Sequence, residues 1–158
     1  MKFYTIGVYG SKEEEFFKKL TDNSIELFID IRQRRGVRGA KYSFVNSKRL
    51  QNKLLDLDIQ YKHLLNLAPT KEIRELQLVA DLKLRVNKRD REKLGEIFQK
   101  EYENKILDKF DFDSFIELLN EIGTNNIVLF CVEKNPDACH RSLVTNKLKQ
   151  IGYNINHL

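Results

Sequence analysis

The sequence predicts an α/β protein: a single three-layer domain of about five mostly parallel strands, with a helical insertion in its middle. Three observations carry this. Strand-like and helix-like stretches alternate through the first 64 residues, as parallel sheets with right-handed crossovers require. A continuous apolar run, Ile127 to Val132, leads through a Pro-Asp turn into an amphipathic helix. Between Thr70 and about Leu107 there is no strand pattern at all.

Lys2 to Gly7 reads as the first strand, and Val8-Tyr9-Gly10 as a turn. Ser11 to Glu14 has the form of a capping box, and Phe16, Phe17 and Leu20 give the next helix an apolar stripe. Ile25 to Ile31 is the second strand. Asp30 near its end is costly to bury unless paired, and the arginines after it are ready partners. Arg32 to Phe44 reads as a basic loop with Gly36 and Gly39. Asn46 or Ser47 caps a helix bearing Leu50, Leu54, Leu55 and Leu57, and Ile59 to Leu64 alternates as a third strand. The middle is expected to be helical over about residues 68–122. Its charged run, Lys83 to Lys93, reads as an exposed, solvated helical face, and Asp111 to Ile122 as a better helix closed by Gly123. The sheet resumes at Asn126 to Val132. A helix comes next over Asp137 to Ile151, then a short last strand over Tyr153 to Leu158, where His157 reads as a packing residue. The expected strand order is 3-2-1-4-5, with a switch between the first and fourth strands. Loops after those two strands would then flank one crevice.

The 158 residues suit one domain, and 41% apolar content suffices for a core. The formal charge is +5. Arg32, Arg34, Arg35, Arg38 and Lys41 fall within residues 32–41 without an acid, so the excess is a local patch that points to an anionic partner. Two cysteines exclude a disulfide scaffold. No apolar leader follows Met1, and no stretch approaches the ~20 apolar residues of a membrane span. The expectation is a cytoplasmic protein with no membrane partner.

Four pieces carry a family resemblance: Thr5-Ile6-Gly7, Asp30-Ile31-Arg32, Tyr61-Lys62-His63-Leu64, and the run Cys131 to Arg141 (Cys-Val-Glu-Lys-Asn-Pro-Asp-Ala-Cys-His-Arg). Together they make the chain similar to the DUF488 family of bacterial and archaeal proteins over nearly its whole length. That family's name concedes an unknown function, so the resemblance implies a fold and a site more than an activity.

The last piece holds most of the candidate site. Arg141 in a first helical turn faces the positive end of the helix dipole, which makes sense if an anion is held there, with His140 as donor or general acid. A histidine at such a position is expected to stay neutral. Cys131 and Cys139 have three readings. They are small buried residues, or Cys139 is a nucleophilic thiol, or both bind metal with His140 and His157. The Cys-x5-Arg spacing of cysteine phosphatases is absent, since Arg141 follows Cys131 by ten residues and Cys139 by two. Zinc ranks last and no cofactor is expected, because no Cys-x2-Cys pair exists and adjacent Cys139 and His140 make awkward ligands for one ion. Glu133 and Asp30, at strand ends, either neutralise arginines or supply a general base and an orienting carboxylate. Arg32 and Arg38, with Tyr42 nearby, fit phosphate contact plus stacking on a base.

Two functions remain open. One is a pocket for a phosphate-bearing ligand, a nucleotide or a nucleic-acid end, with Asp30, Arg32, Arg38, Tyr42, Cys131 and Arg141 binding, and Glu133, Cys139 or His140 supplying acid–base or thiol chemistry. The other is a non-catalytic nucleic-acid-binding module, with the basic loop and the Lys83 to Lys93 stretch as one footprint. Whether the protein is an enzyme, and its oligomeric state, are left open.

Overall fold

A computed structural model describes residues 1–158. Five parallel strands form one sheet: β1 (Lys2–Ile6), β2 (Leu27–Asp30), β3 (Gln60–His63), β4 (Asn126–Phe130) and β5 (Ile155–His157). Six helices connect them: α1 (Glu13–Asp22), α2 (Ser47–Asp56), α3 (Lys71–Leu84), α4 (Glu96–Lys105), α5 (Phe112–Ile122) and α6 (His140–Gln150). The α/β class and the helical middle are as the sequence predicts. No helix is long and apolar enough to cross a membrane.

The strand order differs from expectation. It is β3-β2-β4-β1-β5, so β4 lies between β2 and β1. The physical reason is burial. Ile127, Val128, Leu129 and Phe130 are all fully buried, so β4 takes the centre, covered on both faces. The three-residue β5 closes the outer edge beside β1, with Asn156 and His157 exposed. Crossovers that step in opposite directions along the sheet leave on opposite faces when all are right-handed. Accordingly α1 and α2 share one face, joined by Glu13 and Arg49 at 2.6 Å, while α3, α4 and α6 pack together on the other.

The α1–α2 face is sealed by aromatic rings. Phe16 sits 5.6 Å from both Phe44 and Phe130 in edge-on contacts, and Phe28 lies 5.1 Å from Phe130. Helix ends obey local chemistry, with some shifts from expectation. The α1 cap is Lys12 rather than Ser11, and the Glu15 carboxylate accepts from the Lys12 amide at 3.2 Å. Asp111 accepts from the Ser114 amide at 3.0 Å to start α5, and Gly123 ends it with a positive φ of 75°. A 3-10 turn, Pro136–Ala138, precedes α6, so the helix begins at His140 and not at Asp137; Cys139 is its extended N-cap.

The charged run is the other correction. α3 ends at Leu84 because Arg85 turns left-handed (φ 54°), and residues 86–95 form a loop, not a helix. Buried Leu94, whose amide donates to the Asp137 carbonyl at 3.1 Å, ties this loop to the turn before α6.

Candidate active-site cavity

The register aligns Ile6 and Asp30 with Phe130, so the carboxyl ends of β1, β2 and β4 stop at one level. The residues just beyond these ends build the site: Gly7 after β1, Arg32 after β2, and Cys131 to Glu133 after β4. Above them lies a cavity of about 550 Å³. Arg32, Arg34 and Arg38 line it from the loop after β2, Lys71 and Arg74 from α3, and Lys88, Arg89 and Arg91 from the loop after α3. These eight cations face three acids, Glu75, Asp81 and Glu133, a net lining charge of +5 (8 − 3). Cys131, Cys139 and His140 also line it.

Asp30 is fully buried and holds Arg32 by two bonds, to Nε at 2.8 Å and Nη2 at 2.7 Å. Tyr61 donates its hydroxyl to the same carboxylate at 2.9 Å, and burial, then the Asp30 charge, pushes that phenol up to about 12. Arg32 Nη2 also reaches the Val45 carbonyl at 3.0 Å, and its guanidinium lies 4.5 Å over the Phe130 ring. Its remaining nitrogen, Nη1, is buried without a protein partner. Two histidines pin the backbone here: His140 Nε2 meets the Ile31 carbonyl at 3.0 Å, and His63 Nε2 the Arg32 carbonyl at 2.8 Å.

Glu133 sits among opposed influences. Cys131 donates its thiol to Oε2 at 3.2 Å, while Lys88 and Arg91 Nη2 each lie 3.3 Å from Oε1. Burial raises the carboxyl above its ordinary value and Cys139 adds to this, while Lys88, His140 and Arg91 pull the other way. Burial also raises the Cys131 thiol. Cys139 is different. Burial pushes it up, but the Cys131 thiol, His140 and Arg141 outweigh this and hold it well below the usual thiol value. Burial lowers His140, yet the Cys139 charge, Glu133 and the Ile31 carbonyl more than reverse it. His140 is thus raised above its ordinary value, the direction opposite to that expected at a helix start.

The structure gathers Arg32, Arg38, Cys131, Glu133, Cys139 and His140 around one cavity. Asp30 stands behind Arg32. Besides Asp30, two further expected residues lie outside the lining. Arg141 is 1% exposed, and its guanidinium serves the backbone: Nη1 donates to the Glu133 carbonyl at 2.6 Å and Nη2 to the Lys134 carbonyl at 2.9 Å. It braces the loop behind the cavity. Gly7 is essential to this packing, since a Cβ there would stand 1.9 Å from the Glu133 carbonyl oxygen. Tyr42 is buried and accepts from the Gly10 amide at 3.0 Å, and this bond, ahead of nearby cations, lowers its phenol. The aromatics that reach the cavity are Tyr9 and Phe98, with the Arg89 guanidinium 5.4 Å over the Tyr9 ring.

Arg91 has no counterpart among the sequence expectations. Its side chain is only 8% exposed and joins Asp81 at 2.7 Å, Glu133, and the Ala138 carbonyl at 3.0 Å. Nothing in the run Lys88 to Lys93 distinguishes it from its neighbours. Adjacent in sequence as they are, Cys139 and His140 still converge: Cys131 and Cys139 Sγ and a ring nitrogen of His140 all lie within 4.8 Å of one another.

These features define a parallel α/β protein with a basic cavity at its strand carboxyl ends, floored by two thiols, an imidazole and a carboxylate. The chain belongs to the DUF488 family: the family described as "Domain of unknown function DUF488" matches residues 12–148, which include all of the cavity floor. No curated protein and no solved structure gives a significant match.

Proposed function

We propose that the cavity binds a phosphate-bearing ligand, a nucleotide or a nucleic-acid end, and that Glu133 exchanges a proton with it. The observation that carries this is the lining of eight cations against three acids in a space of about 550 Å³. That volume falls within the range of small-molecule sites, roughly 300–1,000 Å³. Arg32 Nη1 and Arg74 Nε are buried on lining residues without a protein partner, and a phosphate oxygen would satisfy either. Tyr9 offers a ring face on which a base can stack. Glu133 is the proton-handling group because burial raises it while Lys88 and Arg91 still favour its charge, which brings a carboxyl toward the working pH.

The test is a thermal-shift and calorimetric panel of inorganic phosphate, mononucleotides, dinucleotides, and short DNA and RNA. At ~100 times its dissociation constant a small ligand adds about 2.7 kcal/mol to stability. The expected result is such a shift with one phosphate-bearing small molecule, lost in Arg38→Ala/Arg74→Ala. Binding of polymers only, with affinity falling steeply with salt, would overturn this reading in favour of a nucleic-acid-binding module.

A further inference from the structure

The cavity floor holds two sulfurs and an imidazole nitrogen in the arrangement of a metal site. His140 Nδ1 lies 3.8 Å from Cys131 Sγ and 3.8 Å from Cys139 Sγ, and the three atoms fall within 4.8 Å of one another. A tetrahedral zinc ion has bonds of about 2.3 Å to sulfur and about 2.0–2.1 Å to nitrogen, which sets the S···N edge near ~3.6 Å. Both observed edges are only slightly longer, so small side-chain rotations would close the donors on one ion.

A second observation is independent of those distances. His140 Nε2 donates to the Ile31 carbonyl at 3.0 Å, which fixes a proton on that nitrogen and makes Nδ1, once its own proton has left, the nitrogen that faces the thiols. Metal-bound histidines are oriented by the same kind of outer bond. Glu133 stands beside the group, its Oε2 3.2 Å from Cys131 Sγ. All four residues line the cavity.

We propose that Cys131, Cys139 and His140 form a three-residue zinc site whose fourth position opens to the cavity, with Glu133 as the neighbouring acid–base group. Two thiolates and one imidazole select zinc over magnesium or calcium, which take oxygen donors. The two thiolate charges balance the dication, so no net charge is buried. As the ion enters, the Cys131 thiol proton and the proton shared by Cys139 and His140 leave. Three protein ligands plus an exchangeable fourth is the pattern of catalytic rather than structural zinc. The metal site stands on its own geometry. Only the identity of the fourth ligand, a phosphate oxygen or water, rests on the cavity's being an anion site.

The experiment is cobalt substitution of the full-length protein, made metal-free and titrated with Co²⁺. The expected result is one equivalent bound, thiolate-to-cobalt charge-transfer absorption, intense visible bands of a four-coordinate ion, and displacement by Zn²⁺. Cys131→Ser, Cys139→Ser and His140→Gln should each weaken cobalt binding at least tenfold, while His157→Gln should not. Because a buried variant can fail to fold, X-ray absorption of the zinc-loaded wild type is the second measurement, expected to show two sulfurs and one nitrogen. Cobalt bound without charge-transfer absorption, or zinc surrounded only by nitrogen and oxygen, would overturn the site. A cobalt spectrum that changes on adding inorganic phosphate or azide supports an open fourth position, and one insensitive to both refutes it. Arg38→Ala/Arg74→Ala keeps the two proposals apart. That variant should keep the metal and lose phosphate; in the wild type, metal binding without phosphate binding sinks only the ligand reading, and phosphate binding without metal sinks only this inference.

Discussion

Replacing Arg141 with alanine should unfold the protein more easily rather than empty its cavity. Arg141 donates to the Glu133 carbonyl at 2.6 Å and to the Lys134 carbonyl at 2.9 Å. Hydrogen bonds from a charged group contribute about 1.5–3 kcal/mol each, and their loss strands two carbonyls. Against this, Arg141 Nε is already buried without a partner, and that cost disappears with the side chain. The balance is a destabilisation of about 3 kcal/mol, a large share of a typical total of about 5–15 kcal/mol. In a chain of 158 residues this lowers the thermal midpoint by about 6–12 °C, at roughly 2–4 °C per kcal/mol. Arg141→Lys should fall between, because one ammonium cannot serve both carbonyls in the planar geometry of a guanidinium. Thermal unfolding monitored by circular dichroism measures the loss, and binding of the panel's best phosphate ligand is measured alongside. A midpoint within about 2 °C of wild type, less than the shift of a single kcal/mol, with phosphate binding abolished, would refute the bracing role and return Arg141 to the anion site.

Gly7→Ala forces a Cβ to 1.9 Å from the Glu133 carbonyl oxygen, and overpacking of this kind costs about 1–3 kcal/mol; an unchanged urea midpoint would show that the loop is slack. Asp30→Ala leaves Arg32 charged and buried, a loss of about 3–5 kcal/mol. In the same variant the Tyr61 phenol, now at about 12, should titrate closer to its ordinary value, and ultraviolet titration would expose a phenol that does not move. His157 is exposed overall, yet its ring, 2.6 Å from Thr5 Oγ1, resists protonation, first through this partial burial and then through Lys149 and Arg141. Its contribution to stability is therefore fully present above the unfolded value of about 6.5 and declines as the pH falls below it. His157→Gln should flatten that part of the stability profile, and equal slopes in both proteins would contradict it.

β2 and β4 are legible in the sequence because their apolar runs are nearly continuous, β3 because it alternates, and the end of α5 because Gly123 can turn left-handed. The order of β1 and β4 is not. Both are five-residue apolar strands, and which one sits at the centre depends on how the whole sheet is covered. The loop over residues 86–95 is hidden because dense, interspersed charge looks the same on a solvated helix and on a loop. What decides is the left-handed Arg85 and the buried Leu94. Arg141 is recognisable as unusual at a helix start. Its partners are backbone carbonyls contributed by the turn after β4, and carbonyls carry no residue signature. The convergence of Cys139 and His140 is hidden for a related reason. Cys139 is extended (φ −137°, ψ 142°) while His140 begins a helix, and that change of backbone within one step brings neighbouring side chains to the same side.

The central place of β4 explains why the reactive groups and the cations come from different kinds of structure. Cys131 and Glu133 leave the most buried strand of the sheet, Cys139 and His140 start the helix that packs back over it, and each is at most 6% exposed. Their positions are fixed by the carbonyls of Ile31 and Ala138, by Gly7 and by Arg141. Arg34, Arg38, Lys71 and Arg89 sit instead on exposed backbone outside that frame. Charges exposed to solvent interact over about 8 Å at physiological salt, enough to attract an anion to the mouth but too weakly to orient it. Orientation requires the groups that cannot move. Arg32 is the most deeply buried cation of the lining, and it stands where the two sets meet, bonded through Asp30 to the sheet and exposing its flank to the cavity. On the proposed anion-site reading, the rim governs how readily an anion arrives, and the floor at the carboxyl end of β4 governs what can be done to it.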